Sequence, residues 1–494
     1  MKLTLPASIL ALLSSQVFTY DRADDRPNLV FVFPDQMRSS LQGFLGEEPV
    51  ITPNIDRFAN EGLVLTQAVS NAPVSSPYRA MLLTGMYAIS NGVVTNCTNK
   101  AGEYGIELKE NARCWSDILH EKGYNLGYIG KWHLDAPHEP YIPCSNNTGD
   151  IKWNEWTPPD RRHGFDYWYS YGTYDQHLKP MYWSTNAPRD SFRYVNQWGP
   201  EHEADMAIRY IRNEQGKLRD KKKPFALVVS MNPPHMPYEQ VPEKYVRMYD
   251  SKGAEIEAMF HHPAVADTSN RWGKYYRKNI KNQLAMVTGV DEQFGRILEE
   301  LRKAGIDKNT IVVFTSDHGD CLGKHGMISK SNPYEESMHV PFIIRWPGTI
   351  EPGRDSLLFS VPDIYPTLLG LMGFEHDIPY TVEGTNFKKL FTGEKDINRP
   401  TSQLYFITDG QLFSPPAGVK GDILTTSERG VRTNRYTLCI RRGPDNNKTT
   451  YLWDRWIDPM QLHNISNTNA GIVKELVAKE LLPWLKKTGD GWLE

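Results

Sequence analysis

Cysteine is scarce in this chain, with five in 494 residues. Cys97, Cys114, Cys144, Cys321 and Cys439 stand at none of the short spacings of a metal site, so no thiolate centre organises the fold. An odd number leaves at least one free thiol if the chain is exported. Neither sign of charge dominates. Lys and Arg total 56 against 59 Asp and Glu, and a net charge of −3 gives no global pull toward nucleic acid. An anionic ligand would have to be held by local charge. Internal repeats and low-complexity tracts are absent, and beyond the N-terminus no apolar run is long enough to span a bilayer.

What is present begins with an address. Lys2, the mostly apolar run Leu3–Leu13 and the small and polar residues after it read residues 1–20 as a secretory signal peptide. The remaining length suggests two domains. Aromatic residues are plentiful, including 13 Trp and 25 Tyr, and exposed ones suit stacking on sugar rings.

Four apolar runs read as buried strands, and each ends in polar residues. Asn28–Phe33 runs into Asp35-Gln36, and Tyr124–Ile129 into Gly130-Lys131-Trp132-His133. Pro224–Met231 leads to His235 in a proline-rich loop, and Thr310–Thr315 to Asp317-His318-Gly319. Open α/β sheets place ligands at the carboxyl ends of their strands. Taken singly, each of these ends is more often an ordinary turn. Between Ala136 and Gly199 the chain reads as irregular, with Tyr174, Asp175, Gln176, His177 and Trp183 as candidate substrate contacts or ordinary loop packing. A core helix is predicted over Asn279–Ala304, one capped by Thr52 begins at Pro53, and a closing helix spans Ala470–Lys487. Gln403–Ile407 and Val431–Arg442 suggest antiparallel strands.

The stretch Ser75-Ser76-Pro77-Tyr78-Arg79 through Gly85 predicts a short helix, with Pro77 in its first turn and Gly85 at its stop. Ser75 then lies ahead of free N–H groups and a positive dipole end, a ready anion site. For an isolated motif a simple helix cap is the commoner reading.

The pattern S-x-P-x-R-x-x-x-L-T-G resembles the signature of the formylglycine-dependent sulfatases, within the alkaline-phosphatase-like superfamily. G-K-W-H, the His235 loop, D-H-G, and Lys330 before Y-E-E-S follow in that family's order. Tyr78, Gln36, His318 and His339 stand where the family usually carries Ser, Asp, Asn and Arg.

The resemblance implies an α/β/α sandwich with a large mixed, mostly parallel sheet. A smaller C-terminal α+β domain with an antiparallel sheet would complete the substrate pocket. Residues 21–395 would be catalytic and 396–494 the C-terminal subdomain. Ser75 would be oxidised to formylglycine by a bacterial maturase, and Asp35, Gln36, Asp317 and His318 would hold one Ca2+. His318 either binds that ion weakly or orients the site, since nitrogen is a poor calcium ligand. Arg79 and Lys131 would orient and clamp the nucleophile, His133 would take a proton, and His235 and Lys330 would serve the leaving group. His325 touches substrate or is a structural histidine. The implied activity is hydrolysis of a sulfate monoester on a sulfated carbohydrate, by exo action, in a bacterial periplasm. Two rivals stand beside it: a phosphodiesterase or phosphonate monoester hydrolase of the same superfamily, and an unmodified sulfoglycan-binding pseudoenzyme.

Overall fold

The computed structural model describes residues 25–394, 397–408, 427–443 and 447–493. The signal-peptide reading, residues 1–20, and the domain junction at residues 395 and 396 lie outside the described residues.

Ten strands form the main sheet. They are β1 (Asn28–Pro34), β2 (Leu63–Val69), β3 (Asn125–Lys131), β4 (Tyr167–Tyr171), β5 (Met181–Ser184), β6 (Arg193–Tyr194), β7 (Phe225–Met231), β8 (Thr310–Thr315), β9 (Phe342–Arg345) and β10 (Gly353–Ser360). Their order is β10-β2-β9-β8-β1-β7-β3-β4-β5-β6. β1 pairs in parallel with β7 on one side and β8 on the other, while β9, β5 and β6 run antiparallel to their neighbours. The apolar run of β1 serves two cores by alternation. Leu29, Phe31 and Phe33 meet the helices Ser75–Thr84, Trp115–Glu121 and Val361–Leu371 on one face. Val30 and Val32 meet Gly199–Arg212 and Arg271–Lys303 on the other. A strand covered on both faces must be apolar at every position, which is why it was legible.

The second sheet is antiparallel: β11 (Ser402–Thr408), β12 (Ser427–Thr433), β13 (Tyr436–Arg442) and β14 (Lys448–Asp454), in that order. The single strand expected over Val431–Arg442 is two strands, reversed where Thr433 Oγ1 accepts from the N–H groups of Arg435 and Tyr436 at 3.2 and 2.8 Å. This sheet docks on the loop before Ser75. Asn71 Nδ2 donates to the Leu404 carbonyl at 2.7 Å, and Arg432 pairs with both oxygens of Glu335 at 2.8 and 2.7 Å. Glu335 also faces His339 at 3.6 Å, so where His339 replaces the family's usual Arg, an arginine from the C-terminal sheet pairs with Glu335.

Three further expectations shift. The long helix begins at Arg271, because Asn270 caps Trp272 N at 2.8 Å and Gly273 packs beneath the Asp267 carbonyl. Thr52 does not cap the Pro53–Glu61 helix; Asp291 from the long helix accepts the N–H groups of Asn54 and Ile55 at 3.0 and 2.7 Å. The closing helix is interrupted by a π segment, Val477–Leu481, just before Pro483.

The region read as irregular contains β4, β5 and β6, which extend the sheet around a satellite core. Trp183 and Tyr174 belong to that core rather than to a ligand surface, and the Trp183 indole donates to the Arg189 carbonyl at 3.0 Å.

Candidate active site

Ser75 is the first residue of its helix, and its hydroxyl does not cap this end: the preceding Val74 has no capping side chain, and Asn96 Oδ1 accepts the Ser76 N–H at 3.1 Å. The Ser75 hydroxyl is instead 3.0 Å from Asp35 Oδ2 and 3.2 Å from His318 Nε2. A capping serine would turn back on its own helix; this one turns toward the sheet's carboxyl edge. Ser76 fixes the turn, its Oγ donating to the His133 carbonyl at 2.7 Å and accepting from Cys97 N at 3.0 Å. Tyr78 points into the core, 5.9 Å from Phe33, so the departure there touches packing rather than the nucleophile.

Asp35 at the end of β1 and Asp317 and His318 after β8 are fully buried, with ligand-type atoms all within 4.8 Å of one another. Asp35 Oδ2 receives Lys131 Nζ at 2.8 Å and Arg79 Nη2 at 3.2 Å, while Oδ1 has no hydrogen-bond partner among the described residues. Asp317 accepts from Gln36 N at 3.0 Å and Arg79 Nη2 at 3.2 Å. Burial, reinforced by Asp35, pushes Asp317 up to about 7. Asp35 is held well below the usual carboxylate range, since the charges of Lys131 and Lys330 outweigh its burial. Two buried carboxylates and an unpartnered oxygen fit a divalent cation that prefers oxygen ligands. His318 Nδ1 lies 2.9 Å from the Gly319 carbonyl, which leaves Nε2 3.5 and 3.6 Å from the Asp35 and Asp317 oxygens.

Gln36 adopts a φ of 73° and is also fully buried. Its carbonyl oxygen accepts from Lys330 Nζ at 2.9 Å and Ser329 Oγ at 3.2 Å. Its amide donates to Tyr238 OH at 3.1 Å, and Tyr238 in turn donates to Asp320. Lys330 thus enters the site from a separate loop, and its burial lowers its pKa.

Arg79 braces the centre. Besides the two acids it reaches the Lys131 carbonyl at 2.5 Å and Ser230 Oγ at 2.7 Å, and its guanidinium lies over the Phe33 ring. Lys131 bridges Asp35 and Asn232 Oδ1, the latter at 3.2 Å. Gly130 permits this approach: its φ is 95°, and a Cβ would sit 2.0 Å from the Ser230 carbonyl oxygen. His133 is buried with neither ring nitrogen partnered among the described residues, and burial, with Lys131 and Arg79, holds its pKa well below the usual value.

His235 stands at the rim. Its Nδ1 is 2.8 Å from the Met236 carbonyl and 3.5 Å from Asp175. Burial, with Lys330 and Lys131 nearby, pushes it down to about 3. His177 supports the loop through the His235 carbonyl at 2.9 Å. Asp175 is held by Asn232 and Asn146 at 3.1 and 2.8 Å. His325 is placed elsewhere, stacked 3.9 Å from the Tyr334 ring and 3.2 Å from Glu336. Asn232, Ser230, Asn146, Ser329 and Tyr238 were not foreseen. Asn232 and Ser230 stand at a strand end and carried a positional signal; the others come from loops and carried none.

The comparisons agree with this geometry. A family model described as Sulfatase matches residues 27–374, and one described as N-sulphoglucosamine sulphohydrolase, C-terminal, matches residues 323–487. The chain is 40% identical to an endo-4-O-sulfatase of Bacteroides thetaiotaomicron, over 95% of this chain and 93% of the relative. It is 30% identical to an ulvan-active sulfatase of Formosa agariphila, over 91% and 79%. A Bacteroides fragilis protein solved as a candidate sulfatase superposes with a TM-score of 0.87 at 47% identity, covering 95% of this chain and 97% of that one. The chain belongs to the sulfatase family and is a sulfuric ester hydrolase.

Proposed function

We propose that this enzyme removes sulfate from a monoester on a sulfated carbohydrate, with residue 75 oxidised from serine to formylglycine and one Ca2+ at the adjacent acids. The observation that carries the reading is the buried Ser75, its hydroxyl turned away from its own helix and 3.0 Å from Asp35, with Arg79 and Lys131 both bound to that carboxylate. The aldehyde at residue 75, once hydrated by a water, would supply one hydroxyl to attack sulfur as the bond from sulfur to the sugar oxygen breaks, and a second hydroxyl whose deprotonation would expel sulfate and restore the aldehyde. Asp35, Asp317 and the Gln36 carbonyl would hold Ca2+, with His318 at their edge, and the ion supplies charge neutralisation to the sulfate oxygens.

The chain's own residues do the rest. Lys131 and Lys330 approach from two sides of the acids and clamp the sulfate oxygens. Arg79 fixes the acids and the Lys131 backbone. His133, unprotonated and with no hydrogen-bond partner among the described residues, takes a proton at a ring nitrogen during turnover. His235 gives one to the departing sugar oxygen from Nε2, since Nδ1 is anchored. The name of the Bacteroides thetaiotaomicron relative supports a 4-O-sulfate as the target and action within a chain, where the sequence suggested a chain end. An exported protein matured by a formylglycine-generating enzyme fits the N-terminal reading.

A phosphonate monoester hydrolase of Agrobacterium radiobacter shares the fold at 21% identity and a TM-score of 0.68. Protein co-expressed with a serine-type maturase is to be assayed for sulfate release from mono- and oligosaccharide sulfates and for hydrolysis of a phosphate diester. Faster turnover of 4-O-sulfated oligosaccharides supports the proposal; faster turnover of the diester would replace it.

A further inference from the structure

Gln36 stands beside the acids where the family usually carries Asp, and an amide brings an ambiguity that a carboxylate does not. One end is an oxygen, which can serve a cation; the other is an NH2, which cannot. The buried surroundings of Gln36 settle which end meets Lys330, the ammonium that enters the site.

The first constraint is local. Lys330 Nζ and Ser329 Oγ lie 2.9 and 3.2 Å from Gln36 Oε1, and an ammonium can only donate. The second arrives from the long helix, Arg271–Lys303, through a chain of side chains. Arg38 is paired with Glu48 and places Nη1 2.6 Å from Gln283 Oε1. A guanidinium also only donates, so Gln283 must turn its NH2 the other way, and it donates to Asp320 Oδ2 at 2.7 Å. The other oxygen of Asp320 takes the Leu322 N–H at 2.9 Å. Asp320 thus accepts at both ends, and the Tyr238 hydroxyl donates to it as well. With its one hydrogen committed there, Tyr238 can only accept from Gln36, whose Nε2 donates to it at 3.1 Å.

Two obligate donors, Lys330 and Arg38, therefore agree from opposite ends of one chain whose sink is a single carboxylate. Gln36, Gln283 and Asp320 are fully buried, and Arg38 and Tyr238 nearly so. Burial pushes the Asp320 carboxyl up, and the donations from Tyr238 and Leu322, with the Arg38 charge, oppose it. Without water as an alternative partner, reversing one bond leaves a donor facing a donor elsewhere in the chain.

We infer that Tyr238, oriented by Asp320, is a positioning residue: it holds the Gln36 amide by its NH2 and so keeps the carbonyl oxygen with Lys330 and available to the cation. The inference rests on the Ca2+ reading of the acids.

Metal-stripped protein is titrated with Ca2+ by calorimetry, with no substrate and no turnover. Tyr238→Phe, which removes one oxygen, raises the Kd for Ca2+ by about tenfold or more. In a Gln36→Ala background the same substitution changes Kd by less than about twofold. An unchanged Kd in Tyr238→Phe, or an equal loss in both backgrounds, overturns the inference. Asp320→Asn raises Kd as well, and by clearly less where Tyr238 is already Phe. Equal factors in those two backgrounds would mean that its charge acts directly, and would remove Asp320 from the chain.

Urea unfolding of the metal-free wild type, Tyr238→Phe, Gln36→Ala and their double variant reads the chain without any ion. Losses at independent residues add, whereas the double variant is expected to fall short of the sum by about threefold or more in its unfolding constant. If the wild type binds no Ca2+, the reading of the acids falls while this cycle still decides the chain, and additive losses in it overturn the inference.

Discussion

His235→Ala separates the two halves of the proposed chemistry. Nδ1 is committed to the Met236 carbonyl and to Asp175, which leaves Nε2 to act. Burial and the nearby ammonium groups of Lys330 and Lys131 push the imidazolium down to about 3. At pH 7 that is about four pH units from the ring's titration, so protonating it in the free enzyme costs about 5 kcal/mol. A sulfate seated between the two lysines offsets their charge and brings the proton within reach. Loss of a general acid lowers the rate by about 100- to 10,000-fold, or about 3–5 kcal/mol of barrier. A sugar 4-O-sulfate, whose alkoxide is a poor leaving group, should lose about a thousandfold in kcat/KM. Nitrophenyl sulfate, which departs without a proton, should lose less than about tenfold. The assay follows released sulfate for the sugar ester and released nitrophenol for the aryl ester, with matured protein throughout. Losses on the two esters that agree within about threefold would remove His235 from proton donation. As the free enzyme must acquire the proton, wild-type kcat/KM on the sugar ester should also fall as pH rises from about 5 to about 8, and His235→Ala should flatten that slope.

Other residues give independent checks. Ca2+ should raise the melting temperature of metal-stripped protein by several degrees, and Asp317→Asn should abolish the rise; an undiminished rise in the variant would place the ion elsewhere. Gly130→Ala should cost about 3–5 kcal/mol in urea unfolding, because its Cβ would meet the Ser230 carbonyl at 2.0 Å. Gly92→Ala, also at positive φ but with nothing within 4 Å, should cost only about 1 kcal/mol, and equal costs would contradict the close approach. Burial holds His339 down to about 4 against the pull of Glu335, and the charges of Arg432 and Arg455 lower it further. A histidine depressed in the folded state contributes stability that is complete above about pH 6.5 and is lost as pH falls toward 4, here at most about 3 kcal/mol. His339→Gln, which keeps a donor for the Thr66 carbonyl, should flatten stability across that window, and an unchanged slope would assign the loss to other groups.

The parts of this molecule that were legible in sequence are those where one physical demand acts on every residue of a segment. β1, β7 and β8 are covered on both faces, so their runs are continuously apolar, and their polar ends fall where the sheet presents its carboxyl edge. Asp35, Lys131, Asp317 and His318 stood out by their place at such strand ends, and the family resemblance assigned them their roles. Where stabilisation comes from a distant segment, the local pattern misleads. Thr52 has the chemistry of a cap, yet Asp291 does the capping from the long helix. β4, β5 and β6 are too short for periodicity to announce them, and aromatic residues such as Trp183 looked like ligand contacts because nothing local marked them as core. Lys330, by contrast, was recognisable only through the family resemblance, since its loop carries no structural signal of its own and its reach to Gln36 depends on the tertiary fold.

The account turns on residue 75, and its direct test is the mass of the Ser75-containing peptide from protein produced with a competent serine-type maturase. Loss of two hydrogens, together with trapping of the aldehyde by a hydrazine and sulfate release that rises with the modified fraction, is the predicted result. An unmodified serine in protein that still releases sulfate would contradict the formylglycine mechanism and leave the hydroxyl held by Asp35 as the group to explain.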